Sequence, residues 1–220
     1  MVVYNELVAV TAGAALIGVA VFLGSLVKNR RIDSEAWAAF FGVTGLLLFV
    51  LGIHTTVTWP FGGAPFEYAN IAFGQPAAAF GTLLLFATIY LWRNRIGYAE
   101  DGTMTTALAP GVLKPVAIFV GALGLSMAAL AITFVRFQLG AAPPQEPISG
   151  RVGHLPWLEA LFLGGLWGIV AVGCLLFTLA VWRGKLRLLR WVVRAWLVGG
   201  VVVVGVVLAA NAVLELMRRG

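Results

Sequence analysis

The sequence predicts an all-α integral membrane protein, a single domain of six transmembrane helices. Three observations predict it. Hydrophobic residues make up 61% of the 220-residue chain and charged residues 11%, against about 45–50% and about 25% in soluble domains. A water-soluble fold of this size could not hide so much apolar surface. The apolar residues are also gathered into six runs, each near the roughly 20 residues that a helix needs to cross the hydrocarbon core. Finally, the basic residues behind the net charge of +6 fall mostly in short turns between runs, as they do in membrane proteins.

The first run covers residues 7–27. The six residues before it carry no positive charge, and no small-residue cleavage site follows, so it is expected to stay as a helix and not to be removed as a signal peptide. The second run, 36–57, ends in the turn that carries His54. The third, 69–92, contains Pro76, which has no N–H to bond back to residue 72, so a bend or a helix start is expected there. The fourth, 112–136, ends on Arg136, placed to snorkel its charge to water. The fifth, 157–182, is rich in Trp and Gly. The sixth, 190–214, ends near Asn211 and Glu215, which share a helix face.

The connections 28–35, 58–68, 93–111, 137–156 and 183–189 are too short for a second domain. The first, third and fifth, with their flanks, hold Lys28, Arg30, Arg31, Arg93, Arg95, Lys114, Arg183, Lys185, Arg187, Arg190 and Arg194. The other side holds Arg136, Arg151, Arg218 and Arg219. The larger set is expected to face the cytoplasm. This places both termini outside, in the cell membrane of a prokaryote, and divides the chain into three hairpins that each run from outside to inside and back.

Polar groups in lipid are costly, so each is a functional candidate. Nothing ionisable lies at mid-depth of any run, which argues against a proton relay or a voltage sensor. The ionisable residues gather near the outer ends: His54, Glu67, Arg136, His154, Glu159 and Glu215. His54 and His154, with Glu67 or Glu159, have the donor types of a His₂-carboxylate metal site or of haem ligation. The same histidines also fit plain interfacial residues bonded to backbone carbonyls. Around Pro76, the residues Asn70, Gly74 and Gln75 form a kinked segment. Its amides are suited to a small polar solute if the break lines a cavity, and equally suited to a packing kink. Trp59, Phe73 and Trp157 are the aromatics placed to constrict an outer mouth. Glycines are spread along the runs. Gly164 and Gly168 form a small-xxx-small pair, which permits close backbone approach within or between protomers. No nucleophile triad, phosphate loop, zincin helix or dinucleotide fingerprint is present. An enzyme is therefore disfavoured, and a nucleic-acid partner is not expected.

Two resemblances follow from the third run. Thr58-Trp59-Pro60, followed by Tyr68-Ala69-Asn70-Ile71-Ala72-Phe73-Gly74-Gln75-Pro76, resembles a prokaryotic six-helix membrane family of unknown function. More loosely, Phe73-Gly74-Gln75-Pro76-Ala77-Ala78-Ala79-Phe80-Gly81 running to Tyr90-Leu91-Trp92, together with Trp157-Leu158-Glu159 to Trp167-Gly168, is similar to the bacterial urea and short-amide channels. That second resemblance implies a ring-shaped homo-oligomer with one pore per protomer.

Three readings result. In the first, the chain is a channel or transporter for a small polar solute, with Asn70, Gln75 and Glu159 as lining groups and Trp59, Phe73 and Trp157 as constrictions. In the second, it is a haem- or transition-metal-binding or accessory subunit of a larger membrane complex such as a respiratory one, with His54 and His154 as ligands. In the third, it is a structural or assembly protein.

Overall fold

The apolar runs become six α-helices: α1 (Val2–Val27), α2 (Ser34–Val57), α3 (Glu67–Arg93), α4 (Pro110–Phe137), α5 (Pro156–Arg183) and α6 (Leu186–Arg219). The computed structural model describes residues 2–28, 30–58, 67–94, 110–139 and 155–219. Each helix contains a span long and apolar enough to cross a membrane. All outrun the apolar runs, α6 most of all, because a helix continues through polar residues once it enters water, whereas hydropathy stops at the interface. Contrary to one expectation, α3 does not start at Pro76 but runs through it.

Local chemistry sets the ends. The Asp33 carboxylate accepts from the N–H groups of Glu35 and Ala36, at 3.0 and 3.1 Å, which caps α2. Pro156 opens α5 at a position where no N–H is needed. Gly184 closes α5 in the left-handed region at φ 62°, and the Lys185 N–H returns to the Ala180 carbonyl at 3.1 Å. That motif reverses the chain within two residues and lays α6 antiparallel beside α5.

Each helix packs on its neighbours in chain order, and α6 closes on α1, so the helices form a ring of alternating direction. Only 28–39% of each apolar span is buried, which leaves most of the apolar surface for lipid. The closest pairs are α2–α3, α4–α5 and α1–α6, not the three hairpins expected from the charge pattern. Lipid tails are as apolar as leucine, so helices in a membrane are held by close packing and not by a hydrophobic force between them. Glycine provides that closeness. A Cβ at Gly45 would lie 3.1 Å from the Gly81 carbonyl oxygen, and one at Gly74 2.9 Å from the Gly52 carbonyl oxygen. In α4–α5, a Cβ at Gly164 would lie 2.9 Å from the Ala131 carbonyl oxygen; in α1–α6, one at Gly200 would lie 2.7 Å from that of Gly13.

Two apolar clusters fill the space between the helices. One joins Phe22, Phe41, Leu48, Leu84 and Leu91 of α1, α2 and α3, with the Phe22 ring edge-on to those of Trp37 and Phe41 at 5.4 and 5.5 Å. The other joins Leu16, Val120, Met127, Phe177 and Trp196 of α1, α4, α5 and α6. Among the described residues the buried polar side chains are Thr11, Ser34, Thr44 and Thr55, and none is ionisable. Threonine hydroxyls in the spans return to carbonyls one turn back, as Thr44 does to Phe40 at 2.8 Å and Thr55 to Leu51 at 2.7 Å. This satisfies them where water is absent. Thr178 also ties two helices together, its hydroxyl proton shared between the carbonyls of Cys174 (3.0 Å) and Ala117 of α4 (2.9 Å).

Cys174, the chain's one cysteine, is buried in this second cluster. A thiol shielded from water does not present its thiolate to reagents. A water-soluble maleimide is therefore expected to leave the folded protein unmodified and to add one label after unfolding in dodecyl sulfate, as read by intact mass. Labelling of the folded form would contradict the burial.

Candidate solute site between α3 and α4

Of the neighbouring pairs in the ring, α3–α4 packs most loosely. The looseness follows from what the α2–α3 and α4–α5 hairpins share. In α2 and α4, Ala38, Phe40, Gly42, Gly45, Leu51 and Gly52 match Ala117, Phe119, Gly121, Gly124, Leu130 and Ala131. In α3 and α5, Gly74, Gly81, Thr88, Trp92 and Arg93 match Gly164, Ala171, Thr178, Trp182 and Arg183. The contacts match too. Gly42 faces Thr88 as Gly121 faces Thr178, and Gly45 faces Leu84 as Gly124 faces Cys174. The hairpins are thus two copies of one pattern. Parallel repeats of this kind in transporters place their binding sites at the repeat interface. Here the copies meet at α3–α4.

The two seams entering these hairpins differ. At α1–α2, the Phe40 ring sits so close over Gly18 that a side chain there would overlap it. At α3–α4 the matching Phe119 lines a groove with Ala79 and remains 46% exposed. The groove is half-open and measures about 330 Å³, room for on the order of ten waters by their share of liquid volume. Gln75 and Pro76 of α3 line one side, and Phe119, Ala122, Leu123 and Ser126 of α4 the other. Among the described residues neither the Gln75 nor the Ser126 side chain makes a hydrogen bond, unlike the threonines above. An amide and a hydroxyl therefore face a cavity with free capacity, an amide offering both donors and an acceptor.

The other expected site residues are placed as follows. Asn70 is half-buried in the first turns of α3. Gly74 faces α2, where its Cβ would lie 2.6 Å from Thr56 Oγ1. Phe73 is not in the groove. Its ring packs 5.5 Å from Trp167 and 6.2 Å from Phe134, tying α3 to α5 and α4. Trp157 is exposed and Glu159 half-buried in the first turn of α5. His54 is exposed in the last turn of α2. Trp59 and His154 lie outside the described residues, as does the side chain of Glu67. The structure thus brings Gln75 and Pro76 into one groove and adds Ser126 and Phe119, which the sequence reading missed. Among the described residues no three His, Cys, Asp or Glu side chains cluster as a metal site would require.

The six long apolar helices define a multi-pass integral membrane protein. The profile of the family described as Protein of unknown function (DUF981) matches residues 1–215, and the chain belongs to that family. No curated protein and no solved structure matches it.

Proposed function

We propose that this protein provides a membrane pathway for a small polar solute, held at the groove between α3 and α4. The observation that supports this reading is the free hydrogen-bonding capacity of Gln75 and Ser126 at the loosest seam of the ring. Polar groups inside a membrane region are costly, and those that persist mark solute paths. The groove has the composition of a small-molecule site, mostly apolar with a few convergent polar groups. Selectivity then comes from its width and from those two groups. The charge asymmetry of the connections supports both termini outside. Assembly as a homo-oligomer belongs to the same reading.

Liposome swelling tests it. Vesicles containing the protein are expected to swell faster than empty ones in urea or acetamide. Gln75→Leu is expected to slow that swelling between about twofold and tenfold, the worth of one hydrogen bond, with helix content unchanged. Equal swelling of empty and loaded vesicles, or an undiminished rate in Gln75→Leu, sinks the proposal.

A further inference from the structure

At the other end of the ring from His54, a second groove of about 190 Å³ lies between α1 and α6. Its walls are apolar and its mouth is cationic. Gly24 opens it. With no side chain there, the nearest atom of α6 to a Cβ position is Val193 Cγ1, at 3.7 Å. Val21 and Leu197 flank the depression and are 47% and 39% exposed, so they face outward to the acyl region. Lys28 and Arg30 complete the lining. The backbone brings them there: the Lys28 N–H bonds the Gly24 carbonyl at 3.1 Å, and the Arg30 N–H reaches back to the Ser25 carbonyl at 2.9 Å. The Ser25 hydroxyl donates to the Val21 carbonyl one turn back at 2.9 Å. Lys28 is exposed and makes no ion pair among the described residues.

An apolar slot that opens to the side and has two basic residues at its mouth matches one ligand chemistry. We propose that it binds an anionic phospholipid, with one acyl chain against Val21, Gly24, Val193 and Leu197 and the phosphate at Lys28 and Arg30. A basic residue near an anionic headgroup strengthens binding by about fivefold. The apolar walls exclude a freely hydrated anion, and the charges discriminate against zwitterionic lipid.

Native mass spectrometry of the protein in neutral detergent, titrated with phosphatidylglycerol or phosphatidylcholine, tests this. One phosphatidylglycerol is expected to be retained at concentrations where phosphatidylcholine is not. Lys28→Gln is expected to weaken retention about fivefold, and the Lys28→Gln/Arg30→Gln pair further than Lys28→Gln alone. Gly24→Leu fills the slot while keeping both charges, and is expected to lose the lipid with helix content intact. Equal retention of the two lipids overturns the proposal, as does displacement by millimolar inorganic phosphate. Full binding in Gly24→Leu overturns it too, because the lipid would then sit on surface charge and not in the groove.

Discussion

Gly52→Ala is expected to destabilise the bundle by about 2 kcal/mol, although alanine is the better helix former. At an open helical site the substitution gains about 1 kcal/mol. At Gly52 the new methyl would lie 2.8 Å from the Gly74 carbonyl oxygen and 2.9 Å from Ala78 Cα, and closer still to the Ala78 nitrogen. These are backbone atoms of α3, which no rotamer change can move. The helices must separate, and the reciprocal approach of Gly45 and Gly81 along the same seam loosens with them. Overpacking of this kind costs about 3 kcal/mol, which outweighs the propensity gain. Gly168→Ala is the control. Nothing lies within 4 Å of a Cβ there, so its stability is expected to be unchanged or raised. Dodecyl sulfate titration, followed by exposure of Cys174 to maleimide, measures both. Equal midpoints for the two variants would show that the α2–α3 seam is not set by backbone contact.

The contrast between Gly52 and Gly168 shows what could be read from the sequence. The six spans were legible because lipid demands long apolar runs, and the structure departs from them mainly where helices continue into water. The pairing of helices was less legible. The four-residue spacing of Gly164 and Gly168 suggested one close seam, yet Gly164 meets Ala131 and Gly168 meets nothing. The working pattern is a seven-residue spacing, Gly45 with Gly52 against Gly74 with Gly81, which keeps two glycines on one face of each antiparallel helix. Charge placement pointed to hairpins joined on the basic side. Packing chose α2–α3, α4–α5 and α1–α6, because backbone proximity and not connection length sets association in lipid.

The candidate site divides the same way. Gln75 and Pro76 stood out because an amide and a missing N–H are conspicuous in an apolar run. Ser126 did not, because a lone serine in a helix usually bonds the carbonyl four residues back, and the sequence carries no sign that this one does not. The repeat that brings Phe119 to the groove was present in the sequence, in Ala38-x-Phe40-x-Gly42-x-x-Gly45 and Ala117-x-Phe119-x-Gly121-x-x-Gly124. Comparison of the chain with itself would have found it. The difference that opens the groove, Gly18 beneath Phe40 but Ala79 beside Phe119, could be recognised only once the helices were in register.

The closure of the ring gives the second large effect, and adjacent glycines isolate it. A Cβ at Gly200 would lie 2.7 Å from the Gly13 carbonyl oxygen and 3.1 Å from the Ile17 nitrogen, both backbone atoms of α1. One at Gly199, the preceding residue, turns toward α5 and meets only Val170 Cγ2 at 3.6 Å and Ile169 Cγ2 at 3.8 Å, which is ordinary contact. Gly200→Ala is therefore expected to destabilise by about 2 kcal/mol, the overpacking cost less the propensity gain. Gly199→Ala is expected to be neutral or to stabilise by up to about 1 kcal/mol. The α1–α6 pair has the largest sequence separation in the bundle and no connecting turn to hold it, so contact alone keeps the ring shut. When it opens, the groove walled by Val21 and Leu197 separates as well. Dodecyl sulfate midpoints for the two variants make the comparison. A deficit confined to Gly200→Ala assigns ring closure to the Gly13–Gly200 approach, and equal midpoints would move it to the side chains of the second apolar cluster.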